Sequence, residues 1–274
     1  MMNIEKLLSE GLLRSFKGGR ITDADVSEQP LVVFAPRKTS IEVATQLPVR
    51  LVVVHEQNAT SAVDVRLMAG AQLSLTDIYP SASYASTTVQ QAEGSACRVV
   101  SVLMGGAHVE YRTLLDEPHA ECDIFATFVA SGADRCAVSL DTRHNASDCR
   151  SNSLVKGVAA GRATGEFRGM VYVAQDAQRT DAAQLNRNVE LGQAHIVTMP
   201  QLEIYADDVK CSHGTTVGRL DEEAVYYMQQ RGIGRSEAER LQIEGFVNDV
   251  ISKCDSEWLR EQLASEMAVK LEQL

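Results

Sequence analysis

The chain has 274 residues, 5% aromatic residues with Trp258 its single tryptophan, and a formal net charge of −11. That acidity, without any basic run, argues against nucleic acid and anionic membrane surfaces, which need clustered Lys and Arg to displace counterions. No stretch approaches the about 20 apolar residues that span a bilayer, so a cytoplasmic location is the expectation.

The first segment, Met1 to Phe16, sets Ile4, Leu7, Leu8, Leu12 and Leu13 among Glu5, Lys6 and Glu10. It predicts a short amphipathic helix, not the unbroken apolar core of a signal peptide. From about Ile41 to Val217 the pattern has period two, as in Val63-Asp64-Val65-Arg66-Leu67, His108-Val109-Glu110-Tyr111-Arg112 and Ile124-Phe125-Ala126-Thr127-Phe128. Small-residue turns such as Met68-Ala69-Gly70-Ala71 and Ser131-Gly132-Ala133 separate these segments, with glycine supplying the positive φ of tight turns. No helix-period segment interrupts the zone, which excludes βαβ units. An antiparallel sandwich and a β-solenoid both remain open.

The texture changes at Leu220. Asp221-Glu222-Glu223 opens a helix that Gly232 ends, and Ser236 with Glu239 predicts a capping box for the next. Ile243, Phe246, Val247, Val250, Ile251 and Cys254 fall at helical spacing, and a third helix is predicted over 257–271. Residues 221–274 hold twelve acidic and six basic residues, so more than half of the negative charge lies there. The predicted division is a short helical segment at 1–20, a β core at 21–219 and a helical subdomain at 220–274.

Six cysteines, Cys97, Cys122, Cys136, Cys149, Cys211 and Cys254, form no Cys-x-x-Cys pair, and a zinc-ribbon reading fails on spacing. Cys211 and His213 are two apart in an extended run, so they share a face at roughly 7 Å. They make half a metal site, and an ordinary buried thiol beside a satisfied histidine is the competing reading. Asp207-Asp208 breaks the alternation before them and predicts a bulge that re-aims both side chains. His144 and Cys149 bracket Asn145-Ala146-Ser147-Asp148, where a polar turn between coils is favoured over a nucleophilic pair. His55, His108, His119 and His195 are isolated and receive no role. Asn186 and Asn188, on one strand face, are read as hydrogen-bonding along the turn. Gly18-Gly19 and Gly232-Ile233-Gly234 lack a phosphate-loop context, so the chain is not expected to hydrolyse ATP.

Thr180-Asp181-Ala182-Ala183-Gln184-Leu185-Asn186-Arg187-Asn188, Pro200-Gln201-Leu202-Glu203-Ile204-Tyr205, the run to Gly214, and Thr215 to Glu223 with Arg231-Gly232-Ile233 together resemble the SufB/SufD family of iron–sulphur cluster assembly proteins. The Pro-Gln-Leu-Glu-Ile-Tyr wording leans towards the SufD branch. The resemblance is dense from about His144 to Phe246. It implies a mainly β fold, a right-handed parallel β-helix core with a C-terminal α-helical subdomain. It also implies a scaffold and not an enzyme, one that pairs with SufB and docks the SufC ATPase through its C-terminal helices, with a homodimer possible for the isolated chain. His213, ahead of Cys211, would hold a transient iron–sulphur cluster, with further ligands from SufB. Family members commonly carry a substantial N-terminal helical region, whereas only Met1 to Leu13 reads as helical here before the strands begin. The rival readings are a β-solenoid carbohydrate-active enzyme, for which no paired carboxylates stand out, and a purely structural homodimer.

Overall fold

The computed structural model describes residues 4–272 and 274. Helix α1 (Ile4–Ser9) leads into β1 (Arg14–Ser15) and β2 (Gly19–Ile21). There follow β3 (Leu31–Phe34), β4 (Lys38–Val43), β5 (Val49–Val54), β6 (Thr60–Leu67), β7 (Gln72–Tyr79), β8 (Tyr84–Gln91), β9 (Ala96–Leu103) and β10 (His108–Leu115). The longer coils comprise β11 (Glu121–Ala130), β12 (Arg135–His144), β13 (Arg150–Gly161), β14 (Thr164–Val173), β15 (Thr180–Gly192), β16 (His195–Ile204) and β17 (Val209–Gly218). Helices α2 (Glu222–Gln230), α3 (Arg235–Ile251) and α4 (Glu257–Leu271) complete the chain.

Odd-numbered strands build one nine-stranded sheet and even-numbered strands one eight-stranded sheet, each in chain order. Every pairing is parallel. Each coil therefore gives one strand to each sheet, which is a parallel β-helix; a sandwich of antiparallel hairpins is excluded. Inward side chains stack in columns along the lumen, including Ile21, Ile41, Val65, Leu75, Val99, Phe128 and Phe167.

The two sheets differ in burial pattern, and the cause is what covers them. In β10 and β12 buried and more exposed residues alternate, because the outer face of the even sheet meets solvent. In β9 and β11 the second half is buried on both sides. There the helices lie on the outer face: Val52, Val54, Ile78, Val100, Val102, Val129 and Val158 share a core with Val247, Val250, Ile251, Leu259, Leu263 and Met267. One outer column runs Val54, Ile78, Val102, Thr127, Lys156. Its last member ties the helices down, with Lys156 Nζ 2.7 Å from Asp249 and over the Phe246 ring at 4.5 Å. That contact holds the Asp249 carboxyl below its ordinary value. Helices α3 and α4 are thus part of the same packed body as the strands.

Several local expectations are corrected. The N-terminal helix spans only Ile4–Ser9 among the described residues, because Gly11 turns the chain at φ 69 and Leu13 is recruited by the sheet-facing core. Helix α2 starts as expected, with Asp221 accepting from the backbone N–H groups of Glu223 and Ala224. The Ser236–Glu239 capping box does not form. Helix α3 begins two residues earlier, after Gly234, and the Glu239 carboxylate pairs with Arg235 instead. In one row of corners positive φ is supplied by glycine at Gly70 and Gly94 and then by His119, Asp148 and Arg179, while Gly132, Gly161 and Gly192 keep it at another row. Arg179 grips Asp148 through two 2.6 Å hydrogen bonds, which hold that carboxyl down to about 2. Among the described residues no helix is long and apolar enough to cross a membrane.

Candidate functional site at the open end of the solenoid

Strands β16 and β17 end their sheets, so the last coil has no strand stacked upon it among the described residues. The backbone of both edges is free to pair, and their side chains include exposed Val197, Met199, Ile204, Tyr205 and Val217. Asp207 and Asp208 are not a bulge within one strand. They lie in the corner between β16 and β17, and Asp208 accepts from Arg179 N while its own N–H donates to Gln178 Oε1.

The corner sets the parity of β17. Val209, Cys211, His213 and Thr215 continue the inward columns of Thr180, Ala182, Gln184 and Asn186 on β15. In an internal coil such positions are sealed by the next coil; here they form the mouth of the lumen. Cys211 is half-buried against Val171, Val173, Ala177, Ala182 and Ala206, and burial raises its thiol pKa. At neutral pH it is a protonated, largely apolar group. His213 is exposed. Of the two predicted ligands, the imidazole is the one presented to an approaching molecule.

Hydroxyls and amides line the rest of the mouth. Thr198 and Thr215 meet at 2.8 Å and join the two sheets across the opening. Behind them Asn188 donates to Asn186 at 2.6 Å, and Asn186 donates to the Val155 carbonyl at 3.0 Å. Asn186 and Asn188 thus bond along the coil, as their spacing suggested. Among the described residues no group of three His, Cys, Asp or Glu side chains converges on a metal position. Cys211 and His213 alone are an incomplete ligand set, and any iron held there would need donors from a second molecule.

His144 and Cys149 flank a corner, and no nucleophilic pair forms. The Cys149 thiol donates towards the Glu117 and Ser147 carbonyls at 3.4 and 3.5 Å, while His144 Nε2 bonds Ser151 Oγ at 2.8 Å. His144 is wholly buried, its Nδ1 has no protein partner, and burial holds its pKa down to about 4 from an ordinary 6.5. The neutral imidazole is therefore the native form. On acidification the unfolded chain takes up a proton from about pH 6.5 while the folded chain resists until about pH 4. Stability present above pH 6.5 should fall across that window by on the order of 3 kcal/mol. Urea midpoints measured from pH 7 to 4 should drop less steeply in His144→Gln than in the parent chain.

A further cluster escaped sequence reading. His55 Nδ1 bonds Ser61 Oγ at 2.8 Å and its Nε2 bonds Asp77 Oδ1 at 2.6 Å. Asp77 also accepts from the hydroxyls of Tyr79 and Tyr111 at 2.8 and 2.7 Å. His55 and Asp77 lie one coil apart, and Val53, two residues before His55, is the register partner of Asp77. The signal available in the sequence was the coil period, which the irregular turns obscured. Despite its serine, histidine and aspartate, the cluster is a buried strut: Ser61 and His55 are each 3% exposed and both ring nitrogens are occupied.

Residues 23–246 match the family model described as SUF system FeS cluster assembly, SufBD core domain. The match takes in the early coils as well as the stretch from His144 on which the resemblance was read. The iron-sulfur cluster assembly protein SufD of Escherichia coli (strain K12) is 33% identical over 191 residues, covering 69% of this chain and 45% of that protein. A SufBD family protein of Synechocystis is 32% identical over 176 residues, 62% of this chain and 38% of the relative. SufD of Bacillus subtilis is 35% identical over 119 residues, 43% of this chain and 27% of the relative. The chain matches less than half the length of each of these three. With a parallel β-helix, C-terminal helices and a family match across most of its length, this chain belongs to the SufB/SufD family of iron–sulphur cluster assembly proteins and is SufD-like.

Proposed function

We propose that the chain is a scaffold subunit that pairs edge to edge with a SufB-type partner and holds part of a nascent iron–sulphur cluster at the junction. The observation that carries this reading is the uncapped last coil, which leaves His213 exposed beside two unpaired strand edges. Strand pairing there would bury Val197, Ile204, Tyr205 and Val217 and bring a second set of donors over the lumen mouth. In this reading His213 ligates the cluster directly, Cys211 contributes once a neighbouring cation favours its thiolate, and the cluster is cargo handed on to other proteins. The chain itself catalyses nothing and works in the cytoplasm.

A SufC-type ATPase would dock on the helical side. Helices α3 and α4 already spend their apolar faces on the sheet, so the free surface of this region centres on α2, where Tyr226 and Tyr227 are 63% and 59% exposed. Aromatic side chains of that kind are enriched at interfaces.

The test is to co-express the chain with SufB-type and SufC-type partners, then measure complex formation and cluster content by absorbance and iron analysis. His213→Ala should assemble normally and lose most of the cluster yield. Full yield in that variant would remove the ligand role; self-association at the same edge without partner binding would favour a structural homodimer, and glycan cleavage would favour the carbohydrate-active alternative.

A further inference from the structure

We propose that Gln184 is a positioning residue for His213, seating the imidazole at the lumen mouth so that one ring nitrogen is engaged and the other is turned outward. The inference rests on the reading above and extends it by one residue. Gln184 and His213 are register partners on neighbouring parallel strands, β15 and β17. Both belong to the inward row, so their side chains stack one coil apart, about 4.8 Å along the solenoid.

The column they end changes character where the mouth begins. It runs Leu75, Val99, Ile124, Ser153, Gln184, His213. Aliphatic residues fill it through the middle of the lumen, and a plug serving packing alone would continue with leucine or methionine. Gln184 is 3% exposed, so its amide forfeits water and needs a use.

That amide is fixed across the lumen. Its Nε2 donates to the Gly169 carbonyl on β14 at 3.4 Å. Gly169 has no side chain for a visible reason: a Cβ there would fall 2.3 Å from Gln184 Oε1 and 2.5 Å from its Cδ. The carboxamide therefore forms a crossbar between the sheets, one level below His213 and below Pro200, the register partner of Gly169. With Nε2 committed to Gly169, Oε1 is the acceptor this amide can offer an imidazole N–H. Such an acceptor behind a ligating histidine sets its tautomer and ring orientation, and its loss commonly costs 10–100-fold in metal affinity. An exposed imidazole seated in this way also gives up less rotamer freedom when it binds.

Two variants test this from opposite sides. Gln184→Leu removes the amide; Gly169→Ala keeps it but pushes it off the crossbar position, and the flexible end of Gln184 can yield without breaking the strand. The tautomer of the His213 ring is followed by nitrogen NMR in the isolated chain, with the resonances assigned through His213→Ala. Because an acceptor behind one ring N–H favours a single tautomer, both variants should turn a single-tautomer signature into a mixed one. In the complex with a SufB-type partner, both should weaken ferrous iron capture by about tenfold or more. A His213 tautomer signature unchanged in both variants overturns the positioning role, and Gly169→Ala decides it alone if Gln184→Leu does not fold. Iron capture that survives His213→Ala would instead sink the ligand reading, while the tautomer comparison still decides the placement of the ring.

Discussion

Asp77→Ala should cost about 3–5 kcal/mol of folding stability, the range expected when a buried acidic group is removed and the hydrogen-bonding groups around it are left unanswered. The side chain is enclosed in the lumen, at 1% exposure, and serves three donors at once: His55 Nε2 and the hydroxyls of Tyr79 and Tyr111. Tyr111 reaches on to Ser101 at 2.9 Å, and the His55 ring stacks on Tyr79 at 4.1 Å. Without the carboxylate these groups stay buried with their donors unanswered, each carrying a desolvation penalty. Burial and the Asp77 charge already push both phenols well above their ordinary pKa, so they cannot compensate by ionising. Urea unfolding followed by far-ultraviolet dichroism measures the loss. Asp77→Asn, which keeps an acceptor, should lose less, and His55→Ala combined with Asp77→Ala should cost clearly less than the sum of the two. A loss below about 1 kcal/mol in Asp77→Ala would mean that water, and not the chain, satisfies this cluster.

Removing residues 219–274 should abolish the soluble folded chain. Six valines and Ile78 on the outer sheet face would lose the C-terminal helices from their core, at roughly 1.5–3 kcal/mol for each large aliphatic side chain returned to water. That sum is comparable with the whole stability of a typical domain, about 5–15 kcal/mol. Lys156 would lose Asp249 and Phe246, and Ser74 and Thr76 would lose Asp255 and Cys254. The expected result is an aggregating product that binds a hydrophobic dye; a truncated chain that unfolds cooperatively would show that the sheet can stand bare. The docking proposed for the helical side is therefore better probed by Tyr226→Ala with Tyr227→Ala, which leaves the sheet covered.

How much of this was legible depends on the range of the forces involved. Period two in Val63 to Leu67 and His108 to Arg112 is local, so the strands and the bounds of α4 could be read directly. Pairing partners are not local. Whether Val99 lies against Ile124 or across a hairpin depends on coil closure, and only the family resemblance separated solenoid from sandwich. The corner at Tyr205–Asp208 was mistaken for a bulge because a corner and a bulge both interrupt alternation. At the mouth, the shared face of Cys211 and His213 followed from parity, but their unequal exposure did not: it arises because stacking stops at that coil. Gln184 gave no signal, since its meaning lies in Gly169, fifteen residues away on the other sheet.

The stacked coils also act as a ruler. The helical clamp grips the odd sheet from β7 to β13, through Ser74 and Lys156, while the mouth opens at β16 and β17. Inserting or excising a coil between these two landmarks would translate the mouth by about 4.8 Å and leave its chemistry untouched. Separation between the helical side and the open end is thus quantised in whole turns, a spacing that selection can adjust without redesigning either end.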